Sequence, residues 1–154
     1  MENLTMPTLS EAMLHNRRTT RTEYQYLFTP KHHGADPGSG QWLPSLSLDE
    51  EFSIFNTADA HDLSDDDGRL YSVQREDDDS LRYIGVWHEQ VAEFPAAKDG
   101  EAWHGYPVYP LVDEGPENRR GEKSRPANIV FRKMVRAGLI KESQRRRLMK
   151  GHHA

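Results

Sequence analysis

The sequence predicts an α+β fold, a small and mostly antiparallel sheet with an N-terminal helix and a C-terminal basic helical hairpin. Three observations carry this prediction. Thr22, Tyr24, Tyr26 and Phe28 alternate with a period of two, β-rich runs separated by turn signals fill the middle of the chain, and the C-terminal part places apolar residues at helical spacing on either side of Gly138. With 154 residues the chain fits one domain, read as an acidic body over 1–118 and a basic hairpin over 119–154 of the same unit.

In chain order, Thr8-Leu9-Ser10-Glu11 has the form of a capping box and predicts a helix running to about Arg17, with Ala12, Met13 and Leu14 on its buried side. Thr22, Tyr24, Tyr26 and Phe28 then share one face of a strand that Pro30 closes. The glycines and prolines of "KHHGADPGSGQWLPS" predict a surface loop from which Trp42 tucks into the core. "EFSIFN" reads as a strand, and "ADAHDLSDDDG" as a polar connection turning at Gly68. "RLYSVQRE" and "LRYIGVWHE" are separated by "DDDS" and predict a hairpin. In the second run Ile84 and Val86 oppose Tyr83 and Trp87, so both faces are apolar, as in a central strand. "QVAEF" continues the meander.

Pro107 and Pro110 lack backbone donors, so "EAWHGYPVYPL" is expected to cross as an extended, polyproline-like segment, outside the centre of the sheet. "DEGPENRRGEKS" reads as a linker. Pro126 opens a helix with Ile129, Val130, Met134 and Val135 on one side. Gly138 takes the left-handed cap, and Leu139 packs back on Val135 or Met134. A second helix, about Lys141 to Lys150, turns Leu148 and Met149 inward. His152 and His153 are expected to be disordered.

Composition bounds the function. The chain has no cysteine, which excludes disulfides, thiolate nucleophiles and cysteine-held zinc. Mean hydropathy is −0.89 and no apolar run is long enough to span a bilayer, and the N-terminal stretch lacks the apolar region of a secretory signal, so the expectation is a cytoplasmic protein without a membrane partner. Charge is strongly segregated. Twelve cations and two carboxylates lie between Arg119 and Lys150, against eight cations and twenty-three carboxylates elsewhere. Such a tail meets an anionic partner or docks on the acidic body.

Most motifs for chemistry fail on spacing. Aligning Gly68 as the sixth residue of a calcium loop puts Leu63 and Gln74 where carboxylates are needed. His88-Glu89 resembles the start of a zincin helix, but the second histidine position is Ala92 and the context is strand. His32, His33 and His61 have no ligand spacing, so no metal is expected, and without a phosphate-binding glycine loop no cofactor is expected.

Two places remain. In the aromatic loop, His104 has the intrinsic pKa of a general acid or base, flanked by Trp103 and Tyr106, with Glu89, Glu93 or Glu101 as second carboxylate and Arg125 steadying an anion. That is the constellation of a small metal-independent ribonuclease or toxin-like enzyme. The same residues equally fill the edge of a core. In the hairpin, Arg132, Lys133, Arg136, Arg145, Arg146, Arg147 and Lys150 form a charged collar suited to phosphate contact rather than base reading. The favoured reading is a non-enzymatic accessory or regulatory protein that holds nucleic acid or an acidic protein with this hairpin, aided by Trp103 and Tyr106. A third reading is an acidic inhibitor or immunity-type protein whose "DDDG" and "EDDDS" loops meet a basic enzyme.

Overall fold

The structure is a computed structural model and describes residues 17–34, 40–110 and 123–154. The predicted helix over 8–17 lies outside the described residues save for Arg17. The fold is α+β. Its helices are α1 (Leu48–Ala60), α2 (Asn128–Arg136) and α3 (Glu142–Met149), and its strands are β1 (Leu70–Ser72), β2 (Val91–Phe94), β3 (Tyr106–Pro110) and β4 (Lys123–Ser124). The sheet order is β1-β2-β3-β4, with the first three antiparallel and β4 parallel to β3.

Alternation along the strands buries both faces of the sheet. Leu70, Ala92 and Phe94 join Tyr26, Phe28, Ile54, Phe55 and Trp103 in one core, which α1 covers. Tyr71, Val91 and Val108 join Val130, Phe131, Met134 and Leu148 in a second core, which α2 and α3 cover. The helices thus pack on opposite faces instead of gathering at one side or end.

"EFSIFN" is helical, not a strand. Ser47 starts α1 with a reciprocal box: its hydroxyl accepts the Glu50 N–H at 3.0 Å, and the Glu50 carboxylate accepts the Ser47 N–H at 2.9 Å. Glu51, Ile54, Phe55, Ala58 and Asp59 are the buried residues, spaced as one helical face. Before α1, the 17–28 segment makes only isolated bridges, Arg18 with Gln25 and Tyr26 with Trp103. Of its predicted inward face Tyr26 and Phe28 are buried and Tyr24 is half-buried, but Thr22 is exposed. Trp42 is buried too, its indole N–H donating to the Gly105 carbonyl at 3.1 Å.

The "DDDS" turn is closed by an Arg75–Leu81 bridge, but "LRYIGVWHE" does not continue as a strand. β1 pairs instead with "VAEF", Leu70 opposite Phe94, while Tyr83 and Trp87 remain exposed. The proline-bearing segment, expected outside the sheet, is an inner strand. Val108 faces Val91 and Pro107 faces Ala92. β4 stands opposite only Tyr109 and Pro110, so among the described residues no strand pairs with Pro107 on that flank of β3. β4 itself comes from the segment read as linker.

Pro126 precedes the helix instead of opening it, since Ala127 is the N-cap of α2. The helix ends as expected. Gly138 has φ +79°, its N–H donates to Val135 O at 3.0 Å, and Leu139 N–H donates to Met134 O at 2.9 Å, the paired bonds of a Schellman cap. The terminal residues are placed rather than disordered. Gln90 donates to Ala154 O and accepts from Ala154 N, both at 2.8 Å, and His153 Nε2 lies 2.5 Å from the Tyr109 hydroxyl.

Candidate anion-binding face

Helical spacing divides α2 into two sides. Val130, Phe131 and Met134 enter the second core, which turns Arg132 and Arg136, four residues apart, into solvent. On α3, Leu148 faces the core while Arg146, Arg147 and Lys150 are exposed. Glu142 is the one side-chain carboxylate between 123 and 154.

The seven predicted cations differ in what they touch. Lys133 Nζ donates to Ser64 O at 2.9 Å and lies 3.9 Å from Asp62, so it ties α2 to the acidic body. Arg145 grips Glu142 with Nε at 2.9 Å and Nη2 at 2.5 Å, and its Nη1 donates to Asn128 at 2.8 Å, so it braces α3 against α2. The hydrogen bonds from Arg145 hold the Glu142 carboxyl below the usual carboxylate range. Arg146 lies 3.8 Å from the same carboxylate. Arg147 Nε donates to the His153 carbonyl at 2.5 Å. No ion pair among the described residues engages Arg132, Arg136 or Lys150. Lys141, beside this set, lies 3.7 Å from Asp79.

Arg136 separates two shallow concavities. One, of about 330 Å3 between α2 and α3, is walled by Arg132, Val135, Arg136, Glu142 and Arg145. The other, of about 310 Å3 beside the end of α1, is walled by His61, Asp62, Lys133, Arg136 and Ala137. Shallow hollows edged by guanidinium groups suit phosphate or carboxylate oxygens, which Arg can meet with two parallel N–H donors. They do not present a helix end to a base edge.

The aromatic loop is arranged differently from its expected role. Trp103 is buried against Tyr24 and Phe55, with ring centroids 4.9 and 5.7 Å away, so it belongs to the core and not to a partner surface. Tyr106 is half-buried, its hydroxyl donating to Glu93 at 3.3 Å. His104 stacks near His32 at 6.1 Å, and burial together with the charge of Lys31 lowers its imidazole below the usual range. Glu89 is buried in a turn, where Oε1 accepts the Trp87 N–H at 2.8 Å. Among the described residues no hydrogen bond or ion pair joins His104 to Glu89, Glu93 or Glu101, so the pair needed for acid–base catalysis is not assembled.

A polar chain that the sequence reading missed lies inside the first core. Tyr26 donates to Glu51 Oε2 at 2.5 Å, Glu51 Oε1 lies 2.7 Å from His33 Nε2, and His33 Nδ1 lies 2.9 Å from the Thr29 carbonyl. A carbonyl can only accept, so Nδ1 carries a hydrogen, and one more proton must lie between Nε2 and Oε1. Burial pushes the Glu51 carboxyl up to about 8, and burial with His32 nearby lowers His33 to about 4, so the proton rests on the carboxyl. Burial also raises the Tyr26 phenol. Both nitrogens of His33 are engaged, so this chain is a brace between residues 26–33 and α1, with no base turned to a substrate. Once Ser47 is recognised as a helix cap, the inward position of Glu51 follows from spacing.

Among the described residues no group of three or more metal-ligating side chains gathers, and no helix is long and apolar enough to cross a membrane. No family model, no curated protein and no solved structure matches the chain.

Proposed function

We propose that the chain is a non-enzymatic accessory or regulatory binding protein that holds an anionic macromolecule on the exposed face of α2 and α3. One observation supports the reading most. Arg132, Arg136, Arg146, Arg147 and Lys150 are each exposed, while Glu142 is the only side-chain carboxylate between residues 123 and 154. The contacts of Lys133 and Lys141 fasten the hairpin to the body, and those of Arg145 brace its two helices against each other. The phosphate backbone of a nucleic acid fits this geometry through contacts indifferent to sequence, and an acidic protein surface offers the same charge without counterion condensation.

The test compares binding of a labelled single-stranded oligonucleotide with binding of polyglutamate. Oligonucleotide binding that weakens steeply with salt and persists with excess polyglutamate identifies nucleic acid. Binding of polyglutamate alone identifies an acidic protein. Binding of neither overturns the reading.

A further inference from the structure

The turn from Gly85 to Glu89 is held in an unfavourable conformation. His88, which is not glycine, has φ +67°, and Glu89 is fully buried with Oε2 lacking any hydrogen-bond partner among the described residues. Such departures persist where the surroundings enforce them, and they concentrate at binding sites. The bonds that enforce this one are the Glu89 carbonyl to Ile84 N–H at 2.7 Å, His88 N–H to Gly85 O at 3.1 Å, and the Glu89 carboxylate to Trp87 N–H at 2.8 Å. Gly85 is required, since a Cβ there would stand 2.3 Å from Glu89 Oε1 and 2.8 Å from the Pro107 side chain.

The turn presents Trp87, 40% exposed, at a cavity of about 530 Å3. Trp42, Pro44, Leu46, Leu48 and Val86 form its apolar walls with Trp87. No Lys, Arg, Asp or Glu lines it among the described residues. Its polar margin is Ser47, whose hydroxyl accepts from Glu50 and keeps a proton to donate, Gln41, and His33, which is uncharged at neutral pH. A charged ligand would lose its hydration here without a counter-charge. A flat apolar ligand would gain contact with indole faces in a volume usual for small-molecule sites.

We infer that this cavity binds a small, uncharged, largely aromatic molecule that stacks on Trp87 and accepts a hydrogen bond at its margin from Ser47. The site is distinct in residues and in charge from the α2–α3 face, so either can fail alone. The experiment is calorimetric titration of the full chain with 2-naphthol and with its sulfonated, anionic analogue. Saturable one-to-one binding of 2-naphthol is expected, weakened about tenfold or more by Trp87→Ala, with the sulfonate about tenfold weaker on the unaltered chain. Val86→Trp, which fills the cavity, should remove binding while the circular-dichroism melt stays unchanged. The inference is overturned by no saturable 2-naphthol binding up to about 1 mM, by equal affinity in both variants, or by equal affinity for the sulfonate.

Discussion

Arg145 Nη2 lies 2.5 Å from Glu142 Oε2, and Arg145 Nη1 lies 2.8 Å from Asn128, so this guanidinium joins the start of α3 to the start of α2. Its charge is thereby matched within the chain, whereas no ion pair among the described residues engages Arg132 or Arg136. Arg145→Ala should lower the melting temperature and leave polyanion affinity within about threefold. Arg136→Ala should reverse that pattern, with an unchanged melt and weaker binding, and equal binding losses in the two variants would show that both arginines meet the partner.

The proton held between Glu51 and His33 makes stability depend on pH in a defined window. Unfolded, the two groups take their ordinary values of 4.5 and 6.5, and folded they titrate at about 8 and about 4. Between 4.5 and 6.5 each state holds one proton and the pair is silent. Above 6.5 the folded pair still holds its proton and the unfolded pair does not, so stability falls as pH rises to about 8, by about 2 kcal/mol in all. Glu51→Gln can donate to His33 and accept from Tyr26 without titrating, so urea unfolding at pH 6.5 and 8.5 should show this fall abolished. A fall of the same size in Glu51→Gln would place its origin elsewhere.

Ser47→Ala removes the hydroxyl that accepts the Glu50 N–H at 3.0 Å. Chemical denaturation should register a loss of about 1 kcal/mol, the usual size for a helix cap. A change below about 0.3 kcal/mol would mean that Glu50 alone secures this end.

Phe131 is buried in the core shared by α2 and the sheet. Phe131→Ala should cost about 3–5 kcal/mol, lost in one transition followed alike by far-ultraviolet dichroism and tryptophan fluorescence. Two separate transitions would mean that the hairpin unfolds independently of the body.

The elements legible in the sequence are those fixed by neighbours in the chain. Gly138 as a cap, the burial of Tyr26 and Phe28, and the apolar side of α2 all follow from local spacing. α1 escaped because Phe52 and Ile54 alternate within the window "EFSIFN", while the decisive Ser47–Glu50 pair lies ahead of it. β3 escaped because Pro107 and Pro110 argue locally against an inner strand, and its pairing with β2 and β4 joins segments that no local rule connects. At the candidate site the cations were plain, but their division was not. Lys133 meets Ser64 across sixty-nine residues and Arg145 meets Asn128 across seventeen, and such contacts arise from packing.

The most direct test of the central claim is the salt dependence of oligonucleotide binding for the unaltered chain and for the combined variant Arg132→Glu, Arg136→Glu, Arg146→Glu. The account predicts that log K falls linearly with log salt with a slope of about −3 or steeper, and that binding is lost in the variant while its melt is kept. Binding indifferent to salt, or full affinity in the folded variant, would contradict it.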